Sequence, residues 1–183
     1  MTDRFYELHV SGCTRKLPIL NISDTMAIAA FVILGDVEIV ENTARELAEK
    51  VPKDGDYIMT AETKGIPLAA ELAKNLGQKV YLVARKSVKA YMDNPIWVDD
   101  ESITTKGKQR LYLSESDVNL IRGKRVLLVD DVISTGGSMK ALKELAEKAG
   151  AEVICQAAIL AEGDAAERKD IVYLAPLPLF DAK

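Results

Sequence analysis

Asp130 and Asp131 stand side by side behind an apolar run, and Ser134, Thr135, Gly136, Gly137 and Ser138 follow them. Those residue types at that spacing suit the binding of a phosphorylated sugar. The glycines remove side chains, so backbone N–H groups can converge on an anion. The three hydroxyls add further donors. A helix beginning after the loop would contribute unpaired N–H groups and the positive end of its dipole. Carboxylates aimed at a phosphate would repel it, so the two acids make better sense as acceptors for neighbouring hydroxyls, as on a ribose. A ribose 5-phosphate satisfies both halves. The pattern is neither a Walker loop nor the dinucleotide fingerprint, because Gly-x-x-x-x-Gly-Lys and Gly-x-Gly-x-x-Gly are both missing. A plain strand-to-helix turn with a capping serine explains the glycines. It does not explain an acid pair and three hydroxyls in register.

The elements that must hold these residues are legible around them. Val126, Leu127, Leu128 and Val129 form an apolar run of the kind buried on both faces of a parallel sheet. After the loop, Met139, Leu142, Leu145, Ala146 and Ala149 fall on one helical face, and Gly150 ends the helix. A second strand–loop–helix lies upstream. Residues 57–61 read as a strand, residues 62–67 as a polar loop, and Leu68, Ala69, Leu72, Ala73 and Leu76 as a helix face. Pro67 suits the first helical turn, and Gly77 the end. Residues 79–84 read as the next strand. A polar loop at a strand's carboxyl end is where open α/β sheets place ligands. Arg85, Lys86 and Lys89 then cluster cations that suit a diphosphate, Arg as a fork and Lys as a point charge.

Elsewhere the pattern is less decisive. Residues 1–24 read as an irregular flap. Residues 27–34 are an apolar run that suits either a strand or a buried helix. Asp36 is a candidate N-cap for a helix ending near Val51, with Pro52 as its stop. Residues 90–110 are polar and weakly periodic, either an exposed β-ribbon or a long loop. Residues 153–160 read as a buried strand and residues 162–170 as a polar loop. Pro176 and Pro178 disfavour a central strand near the end. His9, the only histidine, has no evident acidic or cysteine partner. Cys13 and Cys155 have no metal-ligand spacing and are expected to stay reduced, Cys155 in the core.

Val-Asp-Asp-Val-Ile-Ser-Thr-Gly-Gly-Ser, residues 129–138, resembles the phosphoribosyl-pyrophosphate motif of the type I phosphoribosyltransferases. The resemblance runs from about Asp56 to Phe180. It implies an α/β fold: a central, mostly parallel sheet flanked by helices, a small hood from residues 1–24 and 161–183, and a mobile lid over residues 90–110. All 183 residues would form one such domain. It further implies that Asp130 and Asp131 hold the ribose hydroxyls, and that Val132 and Ser134, Thr135, Gly136, Gly137 and Ser138 hold the 5-phosphate end. Glu62, Thr63, Lys64 and Gly65 would bind pyrophosphate, with a cis peptide at Glu62–Thr63. Arg85, Lys86 and Lys89 would reach the same pyrophosphate, in several relatives from the neighbouring subunit of a dimer. Lys64, Arg85, Lys89, Asp130 and Asp131 are then the expected catalytic residues.

The implied reaction transfers ribose 5-phosphate from phosphoribosyl pyrophosphate to a purine, with magnesium held by substrate and waters rather than by protein. The strand–loop–helix around Glu62, the Arg85 cluster and the C-terminal Leu-Ala-Pro-x-Pro-x-Phe are most similar to adenine phosphoribosyltransferases. Gly-Ile-Pro-Leu-Ala also occurs in archaeal-type hypoxanthine-guanine enzymes, so an oxopurine is the alternative. The adenine-contacting N-terminal segment has no clear match, and a lid glutamate of that family falls on Thr104 or Thr105. Ile19 and Leu20, with Val132 and the C-terminal segment, are the candidate base contacts.

Composition bounds the setting. Hydrophobic residues make up 48% and charged residues 28%, an ordinary globular mixture, and the net charge is −4 without a basic block. That argues against nucleic-acid binding. No apolar run reaches the ~18 residues of a membrane span, and the first residues lack the pattern of a signal peptide. A cytoplasmic enzyme, acting as a homodimer, is expected. The competing class is a phosphoribosyl-pyrophosphate sensor in a regulatory protein. The acidic balance and the retained cation cluster favour the enzyme.

Overall fold

The computed structural model describes residues 4–100 and 109–182. Five strands form its central parallel sheet: β4 (Tyr57–Ala61), β5 (Tyr81–Ala84), β8 (Arg125–Ile133), β9 (Glu152–Glu162) and β10 (Val172–Leu177). Their order across the sheet is β10-β9-β8-β4-β5. From β4 the chain crosses to β5 on one side and then returns to β8 on the other. The sheet therefore has a topological switch point between β4 and β8, where carboxyl-end loops diverge and leave a crevice.

Alternation along β8 divides the core. Leu127 and Val129 face one layer, Val126 and Leu128 the other, and all four are fully buried. The first layer is covered by α1 (Val37–Lys50) and α2 (Gly65–Asn75), whose Leu47, Leu68 and Leu72 are fully buried. The second is covered by α4 (Gly137–Lys148), by α3 (Glu115–Ile121) and by a two-stranded ribbon of β6 (Ile96–Asp100) and β7 (Gln109–Leu113). The cations of Arg110 and Lys148 stand 3.8 Å and 5.3 Å from the ring centre of Trp97 in the ribbon. The ribbon is thereby tied to α4.

A second, antiparallel sheet forms the hood, in the order β1-β2-β3-β11. Its members are β1 (Phe5–Val10), β2 (Cys13–Asn21), β3 (Met26–Ala29) and β11 (Leu179–Asp181). The irregular flap expected for residues 1–24 is instead a hairpin. Leu8, Val10, Leu17 and Ile19 bury one face of it, and its Ser11-Gly12 turn takes positive φ at both residues. The run 27–34 is strand only as far as Ala29 and then irregular. Pro176 lies in β10, at the sheet edge where a missing N–H is tolerated.

Asp36 caps α1 as its type predicts, accepting from the Ile39 N–H at 3.2 Å. Its carboxylate also takes two bonds from Arg15 of the hood, at 2.6 and 2.9 Å. Those bonds hold its pKa below the usual carboxylate range. His9 is exposed and has an acidic neighbour after all, Glu7 at 3.0 Å, because alternate residues of a strand share a face. Cys13 is the more buried cysteine. Cys155 packs half-buried beside the core, and desolvation pushes its thiol up to about 11.

Candidate active site

The crevice at the switch point is a cavity of about 440 Å³. Its floor is the carboxyl ends of β4 and β8, and its roof is the hood segment 28–32 with Leu177. The loop after β8 enters α4 through Gly136, which takes a left-handed φ of +84° and caps the helix without a side chain. The first N–H groups of α4 therefore have no capping partner from that residue. Ser134, Thr135, Gly137 and Ser138 line the same wall. Arg168 lies over the loop, close enough that a Cβ on Gly136 would be 2.9 Å from its Nη1. A phosphate monoester fits such a wall.

Asp131 is almost wholly buried, yet its carboxylate reaches the cavity and pairs with the Lys64 ammonium at 2.6 Å. Asp130 accepts from the Asp131 N–H at 2.8 Å. Burial, and then the Asp131 charge beside it, push the Asp130 carboxyl well above the usual carboxylate range. The loop after β4 presses against it from below. Gly65 packs on Thr60 so closely that a Cβ would overlap the Thr60 hydroxyl and stand 3.2 Å from Asp130 Oδ1. The peptide bond Glu62–Thr63 is cis. Lys64 also reaches the Phe31 carbonyl of the hood at 3.5 Å.

Glu62 gathers the cation cluster. Its carboxylate accepts from the Lys86 N–H at 2.9 Å and lies 3.3 Å from Arg85 Nη2 and 3.9 Å from Lys89 Nζ. Lys86 lines the cavity with Glu62, Thr63 and Lys64, whereas Arg85 and Lys89 stand behind Glu62 and do not. Gly65, the first residue of α2, is buried and does not line the cavity.

The expected base contacts divide differently. Val132 lines the cavity, but Ile19 is buried in the hood and Leu20 is exposed away from it. The hood residues that do line it are Ile28, Ala29, Ala30, Phe31 and Val32. Sequence reasoning also passed over Asp100 and Glu162, both cavity-lining. Glu162 had a usable signal: it is the first acid after the apolar stretch of β9 and so sits at a strand's carboxyl end. Thr104 and Thr105, with the centre of the expected lid, lie outside the described residues.

The phosphoribosyl transferase domain family matches residues 34–175. The chain is 35% identical over 133 residues to a hypoxanthine/guanine phosphoribosyltransferase of Ferroglobus placidus, covering 73% of this chain and 67% of that one. It is 34% identical over 130 residues to an adenine phosphoribosyltransferase of Thermosipho africanus, covering 70% and 72%. The crystal structure of adenine phosphoribosyltransferase from Thermoanaerobacter pseudethanolicus superposes with a TM-score of 0.65 at 25% identity, over 79% of this chain and 84% of that one. That of Rhodothermus marinus gives 0.66 over 94% of both, at 22% identity, and so speaks to the fold. With crevice, loop and sequence in agreement, the chain belongs to the type I phosphoribosyltransferase family.

Proposed function

We propose that the protein is a purine phosphoribosyltransferase of the salvage type, moving ribose 5-phosphate from phosphoribosyl pyrophosphate to a purine nitrogen. The observation that carries this reading is the wall order of one cavity. Loop 134–138 offers phosphate donors, Asp130 and Asp131 come next, and Lys64 and Lys86 lie across from them. The apolar hood stretch 28–32 closes the remaining side. A sugar phosphate, a diphosphate and a flat base can thus occupy neighbouring parts of one space.

In this reading the C1–O bond of the sugar breaks as the base nitrogen bonds to C1, and pyrophosphate leaves with the electron pair. Positive charge grows on the ribose and negative charge on the leaving group, so fixed charges nearby do most of the work. Asp131 orients the hydroxyls and faces the growing cation. Lys64 and Lys86 meet the diphosphate, and Arg85 and Lys89 extend that positive field from behind Glu62. The family generally uses magnesium with phosphoribosyl pyrophosphate. The cavity's donors are hard carboxylate oxygens, the kind that suits magnesium and its waters, so Asp130 and Asp131 would lie beside an ion held chiefly by the diphosphate. When bound, it neutralises charge on the leaving group.

Curated relatives named for adenine and for hypoxanthine/guanine match at 34% and 35% identity. Overall similarity therefore does not choose the base. Incubation with phosphoribosyl pyrophosphate, magnesium and each of adenine, hypoxanthine, guanine, xanthine and orotate tests the reading. Pyrophosphate release with a purine is expected. Release with orotate alone, or with no base, contradicts it.

The same reading includes a cytoplasmic homodimer. Val88 and Tyr91 are exposed beside the Arg85–Lys89 cluster and offer apolar surface for a second copy. Sedimentation should give twice the chain mass; a monomer at assay concentrations would rule out action in trans.

A further inference from the structure

Buried hydroxyls are normally hydrogen-bonded. Thr43 of α1, fully buried, donates to the Ile39 carbonyl at 2.6 Å. Thr60 of β4 is equally buried, yet its Oγ1 has no hydrogen-bond partner among the described residues. It does not line the cavity, so a substrate held there does not satisfy it directly. A polar group desolvated without a partner costs folding energy.

Its surroundings say what it can serve. Met59 and Leu128 are the last paired residues of β4 and β8. Thr60 and Asp130 stand just past that point, one on each strand, where the crevice opens. Gly65, at the start of α2, lies against both. A Cβ built on it would overlap Thr60 Oγ1 and lie 3.2 Å from Asp130 Oδ1. The missing side chain thus leaves a hydroxyl and a carboxyl facing one small gap. Asp130 accepts from the Asp131 N–H at 2.8 Å. Its charged neighbours are Asp131 on the same strand and Lys64 on the loop after β4, while Ala158 pairs with it from β9. A carboxylate that accepts from sugar hydroxyls in a place short of water needs further donors.

Resting on the function proposed above, we infer that Thr60 is a positioning residue: its hydroxyl donates to the Asp130 carboxylate when the sugar is bound, and so holds that acid in line for the ribose hydroxyls. The hydroxyl hydrogen rotates to suit its acceptor, so a small turn of the Asp130 carboxyl completes the bond. Thr60 acts through Asp130 and never touches substrate. The bond is made in the complex and missing in the free protein, so its benefit goes to binding rather than to folding.

Two variants separate those effects. Thr60→Val removes the hydroxyl and keeps the shape; Thr60→Ser keeps the hydroxyl and loses the methyl. Binding of ribose 5-phosphate, followed by calorimetry, should weaken about tenfold in Thr60→Val, the scale of one hydrogen bond to a charged group, and stay near wild type in Thr60→Ser. The kcat/KM for phosphoribosyl pyrophosphate should follow the same order, with the KM for the purine unchanged. Chemical denaturation should run the other way. Thr60→Val should be at least as stable as wild type, because an apolar group replaces an unpaired polar one. Thr60→Ser should be less stable, because a buried methyl is lost. Unchanged affinity in Thr60→Val overturns the inference, and so does equal weakening in Thr60→Ser. A Thr60→Val protein that is destabilised or fails to fold overturns it too, since the hydroxyl would then be bonded in the free protein. Wild-type protein that binds ribose 5-phosphate but turns over no purine overturns the proposed function alone, and the affinity comparison still decides the role of Thr60. Wild-type protein that binds no ribose 5-phosphate overturns both.

Discussion

Lys64 is the side chain whose partners must change most when substrate arrives. Its ammonium is 2.6 Å from Asp131 and 3.5 Å from the Phe31 carbonyl, so the proposed leaving-group cation and the proposed sugar-hydroxyl acceptor neutralise one another. A diphosphate would draw Lys64 away and free Asp131 for the ribose. Lys64→Ala should lower kcat by about a hundredfold, the usual loss for one charge-stabilising donor, with purine affinity nearly unchanged. Steady-state kinetics with both substrates varied would show this, and an effect on purine affinity alone would contradict it. Asp130 gives an independent check. Its carboxyl titrates higher in the folded chain than in the unfolded one, because burial and Asp131 disfavour its charge. The unfolded chain then binds fewer protons as pH rises above about 3.9, the free aspartate value, so folding loses stability through that window. Asp130→Asn should raise the denaturation midpoint at neutral pH, and the gain should vanish in acid below that value. An equal gain at all pH values would mean that the charge is not the cause. At this scale the acids and glycines were legible, because their chemistry is local. The pairing of Lys64 with Asp131 was not: the residues are far apart in sequence and meet only because β4 and β8 are neighbours.

Elements carry the next level. α1 was legible to its cap: an acid precedes an apolar periodicity and Pro52 follows it. The hood hairpin was not. β1 and β2 mix charged and apolar residues, and their alternation gains meaning only when the buried face meets the core beneath. Asp36 joins the two, capping α1 and binding Arg15 of β2. Asp36→Ala removes the cap and the tether together and should cost about 0.5–2 kcal/mol, the range for N-cap loss. Chemical denaturation measures it. Arg15→Ala should reproduce only part of the loss, and a full loss there would shift the credit from cap to tether. The cavity roof shows why Ile19 and Leu20 do not line the cavity. Ile19 and Leu20 are in β2, one strand away from the β3 segment that reaches the cavity. Periodicity cannot reveal which hood strand lies over a sheet it does not touch in sequence.

For the whole molecule, the order β10-β9-β8-β4-β5 is what turns two ordinary strand–loop–helix units into one site. It sets the loop after β4 beside the loop after β8 and leaves the hood to close the gap. The two units were legible separately from their strand runs and helix faces. Their adjacency came from the motif resemblance rather than from periodicity, since strand order leaves no local trace in composition. The central claim is that the turn 134–138 and the paired aspartates hold a sugar by its phosphate and its alcohols. A crystal structure with ribose 5-phosphate bound tests that most directly. The phosphate should lie within hydrogen-bond reach of the N–H groups at the start of α4, with the 2- and 3-hydroxyls on Asp130 and Asp131. A ligand that binds elsewhere, leaving that turn without a phosphate at saturating concentration, would contradict the account.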